Sequence, residues 1–242
     1  MTTAGVGRRL RPEFPTLLVI FRSERRMLHH LYGILERPPL ASRLPEAGVD
    51  DRPVLVRRIG GFVLLTSLLD ATPRPGPAAL KRHHEVLASV TVPGPLFPLR
   101  CGVGVPLGEL EPWLAIRAAR IRAALQALRG KVEMRVSVLS LHFGTGDVDG
   151  LQAVADRVAK AAGIANWRGR LSGKGGNAAV ALAFLVPRAD VSAFLSRIAP
   201  VASRAGDVAV VPSGPWPPFT FVPAVDGPTP VVDEPAAIPY AV

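Results

Sequence analysis

Apolar residues recur at intervals of three and four in several parts of the chain, which is the spacing of one face of an α-helix. The first stripe predicts a helix over 77–91, and its members are Leu80, His83, Leu87 and Val90. The second predicts a helix that ends at Gly130, with the stripe Leu114, Ala118, Ile121, Leu125 and Leu128. Further stripes predict helices near 151–162 and after Asp190, and Pro200 is expected to end or bend the last one.

Short apolar runs without helical spacing predict the β-strands. They cover 27–35, 54–59, 62–68, 96–103, 132–142, 167–171, 178–186 and 207–211, with a further short run at 16–21. Gly60 and Gly61 join two of these runs, and a link of two glycines between apolar runs is a strong signal for a β-hairpin.

These elements predict an α+β protein of two domains. From 132–142 onward the order is strand, helix, strand, strand, helix, strand, which is the split βαβ or ferredoxin-like arrangement. The expected division is a poorly ordered N-terminal extension at 1–26, an N-terminal mixed α/β domain at 27–143, a C-terminal ferredoxin-like domain at 144–223 and a proline-rich tail at 224–242. Whether both domains share the strand at 131–142 is open.

A proline-rich aromatic stretch follows the last predicted strand. Proline fixes φ and lacks a backbone donor, so 215–218 is expected to run extended and not as a helix interior or a central strand. The candidate structural or protein-binding residues are Pro215, Trp216, Pro217, Pro218, Phe219 and Phe221. The rings either cover the protein's own core or form a docking surface. The position after a split βαβ unit favours a structural role for Trp216, with a loss of ~3 to 5 kcal/mol in Trp216→Ala.

The composition and charge of the chain indicate the kind of partner and the cellular compartment. The 242 residues include 48% hydrophobic residues and carry a formal net charge of +10, which fits an acidic partner such as nucleic acid, a membrane or a protein. The second helix carries a row of arginines that is expected to be a solvated face; its members are Arg117, Arg120, Arg122 and Arg129. The single cysteine, Cys101, favours a reducing, cytoplasmic setting. No apolar run approaches the roughly 20 residues of a membrane span, so we expect a soluble protein.

No group of residues predicts catalysis, a cofactor or a metal ion. The paired histidines at 29–30 and 83–84 are expected to be core or surface imidazoles, since neighbouring side chains diverge. Cys101 is expected to be a small buried hydrophobe. The segment 169–174 misses the spacing of a phosphate loop, and 173–177 is better explained as a flexible hairpin turn.

Several blocks of the sequence resemble the gas vesicle protein F/L family (GvpF/GvpL). The segment 213–221 is similar to the family's GPWPPYSF ending. Further blocks agree in order: Leu31-Tyr32-Gly33-Ile34 with the opening strand, His83 and Val86-Leu87 with an H-x-x-V-L helix, Pro98-Leu99-Arg100-Cys101-Gly102 with PLRFG, Gly130 to Met134 with G-x-V-E, and 177–188 with an AYLV strand. His83 and Arg100 therefore join the candidate site residues.

The resemblance covers about residues 31–222 and includes departures from the family pattern. Cys101 stands where the family usually has phenylalanine, and Phe219 replaces a tyrosine and so lacks its hydroxyl. The charged helical insertion that many members carry between their two halves is nearly missing. The first 26 residues are unmatched.

The resemblance implies a non-enzymatic accessory or minor structural protein of gas vesicle formation, located in the cytoplasm and at the gas vesicle. It would bind the hydrophobic shell protein GvpA and other accessory proteins, prevent shell-protein aggregation and assist vesicle nucleation and assembly. The alternative is a basic ferredoxin-like nucleic-acid-binding module, since RNA binders combine such sheets with positive charge. Nucleic acid is the less favoured partner, because the predicted strands lack the exposed aromatic pairs of an RNA-recognition sheet.

Overall fold

A computed structural model describes residues 27–90, 94–141, 148–172 and 179–225 of the chain. These residues form two antiparallel sheets with α-helices packed against them. The predicted α+β class is therefore confirmed. The strand expected at 16–21, the glycine turn at 173–178 and the tail beyond 225 lie outside the described residues.

The α-helices are interspersed among the strands along the chain. The strands are β1 (Leu28–Leu35), β2 (Leu55–Ile59), β3 (Phe62–Leu69), β4 (Leu96–Pro98), β5 (Gly104–Pro106), β6 (Lys131–Ser140), β7 (Trp167–Ser172), β8 (Ala179–Pro187) and β9 (Val208–Trp216). The helices are α1 (Pro77–Val90), α2 (Leu110–Leu128), α3 (Val148–Ala162) and α4 (Val191–Ala202).

The first sheet has the order β2-β3-β1-β4, and β5 also pairs with β1. Helix α1 packs on one face, in a cluster that includes Tyr32, Val63, Leu65, Val86 and Leu87. Helix α2 packs on the other face, in a cluster that includes Leu31, Leu64, Phe97, Leu114 and Ile121. Because helices cover both faces, β1 and β3 are buried at nearly every position instead of alternating between buried and exposed.

The second sheet has the order β7-β8-β6-β9, and all its neighbouring strands are antiparallel. Its chain order is β6, α3, β7, β8, α4, β9. Both helices lie on one face, where they form a core that includes Val136, Val158, Leu182, Phe184 and Phe194. We call the opposite side of this sheet the outer face. Side chains there alternate with those of the core along each strand.

Most predicted elements occur close to their expected positions. In the β2–β3 hairpin, Gly60 and Gly61 have φ of 57° and 81°, a conformation that glycine adopts without strain. The strand predicted at 96–103 is wrong in its second half, because a turn at Gly102, with φ of 98°, separates β4 from β5. Pro200 lies inside α4, which continues to Ala202. Its missing N–H removes one helical hydrogen bond, the one to the Ser196 carbonyl, and only two helical residues follow it.

Strand β9 is longer than predicted, since it continues past 207–211 to Trp216. It pairs with β6 at one edge of the sheet, where proline is tolerated because an edge strand leaves some N–H groups unpaired. A register shift opposite Glu133 and Arg135 accommodates Gly214. A Cβ added to Gly214 would lie 2.9 Å from the Met134 sulfur and 3.0 Å from the Glu133 carbonyl oxygen, so only glycine fits.

Candidate functional site

After β9 the chain turns back across the molecule in residues 217–225, which we call the crossing segment. Pro217 and Pro218 are buried, and a short 3-10 turn follows at Phe219–Phe221. Rigid proline backbone loses little entropy on being fixed, so it suits a segment without ladder hydrogen bonds. The segment contacts side chains of both sheets and of helices α1 and α2.

The crossing segment is held to the second sheet by Glu133, a fully buried carboxylate on β6. Its oxygens accept hydrogen bonds from the backbone N–H of Thr220 at 2.8 Å and from the Thr220 hydroxyl at 2.9 Å. Arg135 donates its Nε–H to the same carboxylate at 2.6 Å. Hydrogen bonds to an ionised acceptor are stronger than neutral ones and offset part of the cost of burying a charge.

The same segment is held to the first sheet by its apolar side chains. Phe219 packs against the α1-side cluster, with its ring centroid 5.5 Å from that of His84. Val222 and Val225 pack against the α2-side cluster, and Val225 is buried. The segment therefore takes part in the apolar packing on both faces of the first sheet.

Arginines of α2 complete this attachment. Arg117 donates its Nε–H to the Val225 carbonyl at 2.6 Å and lies over the ring of Trp113. Arg120 donates to the Ala224 carbonyl at 3.1 Å. Arg129, the residue that follows α2, pairs with Glu36 at 2.8 Å. Arg120, Arg122 and Arg129 are exposed, as expected for a solvated helix face, whereas Arg117 is partly buried.

The candidate residues of the proline-rich stretch have different environments. Pro217 and Pro218 are buried, Phe219 and Phe221 are partly buried, and Pro215 is exposed. The guanidinium of Arg168 lies 5.8 Å from the Phe221 ring. Trp216 is only partly buried and belongs to none of the apolar clusters of the described residues. Phe219, Val222 and Val225, which follow it, do pack against these clusters.

A second candidate site is a buried polar cluster between β1, α1 and the turn after β4. His83 donates its Nε2–H to the Leu99 carbonyl at 2.8 Å, so its Nδ1 is an acceptor. That atom lies 3.0 Å from His30 Nε2, which must be the donor. Ligand atoms of His30, His83 and Cys101 all lie within 4.8 Å of one another. Arg100, the other candidate from this block, is exposed.

Burial changes the acid–base behaviour of this cluster. Desolvation lowers the pKa of His30 to about 4. Desolvation also lowers the pKa of His83 to about 3, and the charge of protonated His30 adds to that effect. Desolvation, with a smaller contribution from Asp50, raises the pKa of the Cys101 thiol to about 11. At neutral pH all three side chains are therefore uncharged in the free protein.

Sequence reasoning identified His83 but neither its partner His30 nor the acceptor Glu133. His30 lies 53 residues from His83, and Glu133 lies 87 residues from Thr220. Two signals were available. Glu133 is the glutamate of the block that resembles G-x-V-E. A histidine in a continuous strand run and a glutamate between buried valine and methionine must also find polar partners.

The outer face of the second sheet carries exposed apolar side chains. Leu139 and Leu141 are 37% and 59% exposed, and Val211 on β9 is 47% exposed. Val211 lies opposite Ser137 in the register, so it shares a face with Leu139. Leu139 is six residues along β6 from Glu133, about 20 Å away. The crossing segment bound at Glu133 thus lies towards the other end of the strand.

Comparison with solved structures identifies the class of fold. The crystal structure of gas vesicle protein GvpF from Anabaena sp. PCC7120 matches with a TM-score of 0.67 and 19% identity, over 82% of this chain and 97% of that one. The GvpF structure from Microcystis aeruginosa matches with a TM-score of 0.64 and 17% identity, over 80% and 98%. The fold is that of these gas vesicle proteins.

The family follows from the sequence match. The family model of gas vesicle synthesis protein GvpL/GvpF matches residues 28–144 and 148–223. The chain belongs to the GvpL/GvpF family and is a gas vesicle-related protein. The description of the family names no enzymatic activity. A comparison with curated proteins found no significant match. Within the described residues no helix is long and apolar enough to cross a membrane.

Proposed function

We propose that this protein is a non-enzymatic accessory or minor structural protein of gas vesicles that binds the shell protein GvpA. In this proposal it keeps the shell protein from aggregating and assists vesicle nucleation and assembly, together with other accessory proteins. It acts in the cytoplasm and at the gas vesicle. The observation that carries the proposal is the family match over most of the chain.

The surface best suited to the shell protein is the outer face of the second sheet. A subunit with an exposed apolar face aggregates unless another surface covers that face. Leu139, Leu141 and Val211 offer a matching apolar strip that no helix of the described residues covers. The crossing segment is less suited, because its buried residues already pack within the molecule.

We also propose that the two sheets define two domains, that the boundary expected at 143 and 144 lies instead before β6, and that the second domain is ferredoxin-like. The order β6, α3, β7, β8, α4, β9 supports the split βαβ assignment. The pairing of β6 with β8 and β9 favours assigning the strand at 131–142 to the second domain instead of sharing it.

The nucleic-acid alternative has less support. An RNA-recognition sheet presents aromatic side chains on its open face for bases to stack on. On β8 the aromatic residue is Phe184, which is fully buried against the helices, and the outer face there carries Ala181 and Ala183. Binding of a nucleic acid would weaken steeply with salt, whereas apolar binding to shell protein would persist.

Co-expression of shell protein with this chain tests the function. We expect more shell protein in the supernatant with the wild-type chain than without it, and equal aggregation in both cases would refute the proposal. The double variant Leu139→Ser, Val211→Ser tests the surface and should lose the effect. Ile116→Ser is the matched control, because Ile116 is 82% exposed on α2. A double variant as effective as wild type would exclude the outer face.

A further inference from the structure

We propose that His30, His83 and Cys101 form a zinc-binding site. The three residues come from β1, α1 and the turn after β4, and their ligand atoms all lie within 4.8 Å of one another. This site is independent of the proposed shell-protein function. It lies inside the first half of the molecule and away from the outer face of the second sheet.

The donor set selects the metal. Two imidazole nitrogens and one thiolate are borderline to soft ligands, which zinc prefers and which magnesium and calcium do not. No fourth histidine, cysteine or carboxylate joins the cluster among the described residues. Water therefore takes the fourth tetrahedral position. Cys101 is only partly buried, so solvent reaches the site from its side.

The hydrogen bonding of His83 orients it as a ligand. A histidine that binds a metal through one nitrogen usually donates its other N–H to a carbonyl or carboxylate. His83 does so to the Leu99 carbonyl at 2.8 Å, which leaves the Nδ1 lone pair directed at His30. The neighbouring ring of Tyr32, with its centroid 5.2 Å from that of His83, restricts rotation of the imidazole.

The ligand atoms of the three side chains lie close to the separations that a bound zinc ion requires. Zinc–ligand bonds of about 2.0 to 2.3 Å in a tetrahedron separate the ligand atoms by about 3.3 to 3.6 Å. The His30 and His83 nitrogens, now 3.0 Å apart, would separate by a few tenths of an ångström. The Cys101 sulfur would approach by about 1.2 Å at most, given the 4.8 Å limit. Its turn contains Gly102, where the backbone can adjust.

Zinc binding changes the protonation of His30 and Cys101. In the free protein the proton of His30 is on Nε2, and its Nδ1 is buried without a hydrogen-bond partner in the described structure. Zinc binding moves that proton to Nδ1, so His30 stays neutral. The Cys101 thiol loses its proton to solvent, because a coordinating thiol is deprotonated by the metal. Binding of one Zn²⁺ releases one proton.

Cobalt provides a specific probe because Cys101 is the single cysteine of the sequence. Untagged full-length protein, freed of metal with a chelator, is titrated with Co²⁺ and then with Zn²⁺. We expect one Co²⁺ per chain with a thiolate-to-cobalt charge-transfer band in the near ultraviolet, which Zn²⁺ abolishes. Zinc should also raise the unfolding temperature, because it binds the folded state. Absence of the band in the wild-type chain overturns the proposal.

Variants separate this site from adventitious binding. Cys101→Ala and Cys101→Ser should both lose the charge-transfer band and bind Zn²⁺ at least about 100-fold more weakly. Their metal-free unfolding temperatures check that they fold, and the use of two replacements guards against a failure of one. His84→Gln is the matched control, an exposed histidine beside His83, and it should keep the band. Unchanged zinc affinity in both Cys101 variants would also overturn the proposal.

Discussion

A buried carboxylate is costly unless hydrogen bonds and an opposite charge offset its lost hydration. Glu133 has both, in the Thr220 N–H and hydroxyl and in the Arg135 guanidinium. Since Thr220 belongs to the crossing segment, a single side chain of β6 determines where that segment meets the second sheet.

Glu133→Gln should lower the free energy of unfolding by about 1 to 3 kcal/mol, because one donor would then face an amide N–H₂ instead of a carboxylate oxygen. Urea denaturation of the full chain measures the change. Glu46→Gln, at an exposed position, is the control and should stay within about 0.5 kcal/mol of wild type. A loss no larger than the control's would mean that Glu133 does not hold the segment.

Trp216→Ala should cost about 1 to 2 kcal/mol, less than the sequence alone predicts, because Trp216 is partly exposed and outside the apolar clusters. Phe184→Ala, at a fully buried ring, should cost about 3 to 5 kcal/mol. The two variants are compared by urea denaturation in parallel. Equal losses would restore Trp216 to the role of a core residue.

For individual residues, the sequence indicates which side chains are of interest better than it predicts which other residues they contact. His83 was identified through the block that resembles H-x-x-V-L, and it also lies on a helical apolar stripe. Its contacts with His30 and Cys101 could not be predicted, because these residues come from separate elements and no local spacing connects them. Glu133 and Thr220 are likewise joined only by the path of the whole chain.

Among helices and strands, prediction succeeded where the pattern was local and failed where proline or glycine changed it. Helix α1 and the β2–β3 hairpin follow directly from apolar spacing and two glycines. The end of β9 was missed because Pro212 and Pro215 argue against a strand in general, although an edge strand accepts them.

The crossing segment should stabilise the protein measurably. A chain that ends at residue 218 should unfold at a temperature at least about 6 °C below that of a chain that ends at 225. The reason is that it loses the Thr220 hydrogen bonds to Glu133 and the packing of Phe219 and Val225. Differential scanning calorimetry measures both, and the longer chain is the control. Coincident unfolding temperatures would contradict this role.

At the scale of the whole molecule, the two sheets have separate apolar cores. The crossing segment packs against both clusters of the first sheet and donates hydrogen bonds to Glu133 of the second. Part of the positive charge serves this arrangement, since Arg117 and Arg120 bind carbonyls of the segment. Because a carbonyl is neutral, both arginines keep their positive charge and still contribute to the net charge of +10 that favours an acidic partner.

Synthesis on the ribosome proceeds from the N-terminus, so residues 217–225 emerge after every strand of both sheets. If the two halves are domains, as proposed above, each acquires its own core while the chain is still growing, since domains generally fold as units in the order of synthesis. The contacts of Thr220, Phe219 and Val225 can form only afterwards. The relative arrangement of the two halves is thus completed by the last part of the described chain to leave the ribosome.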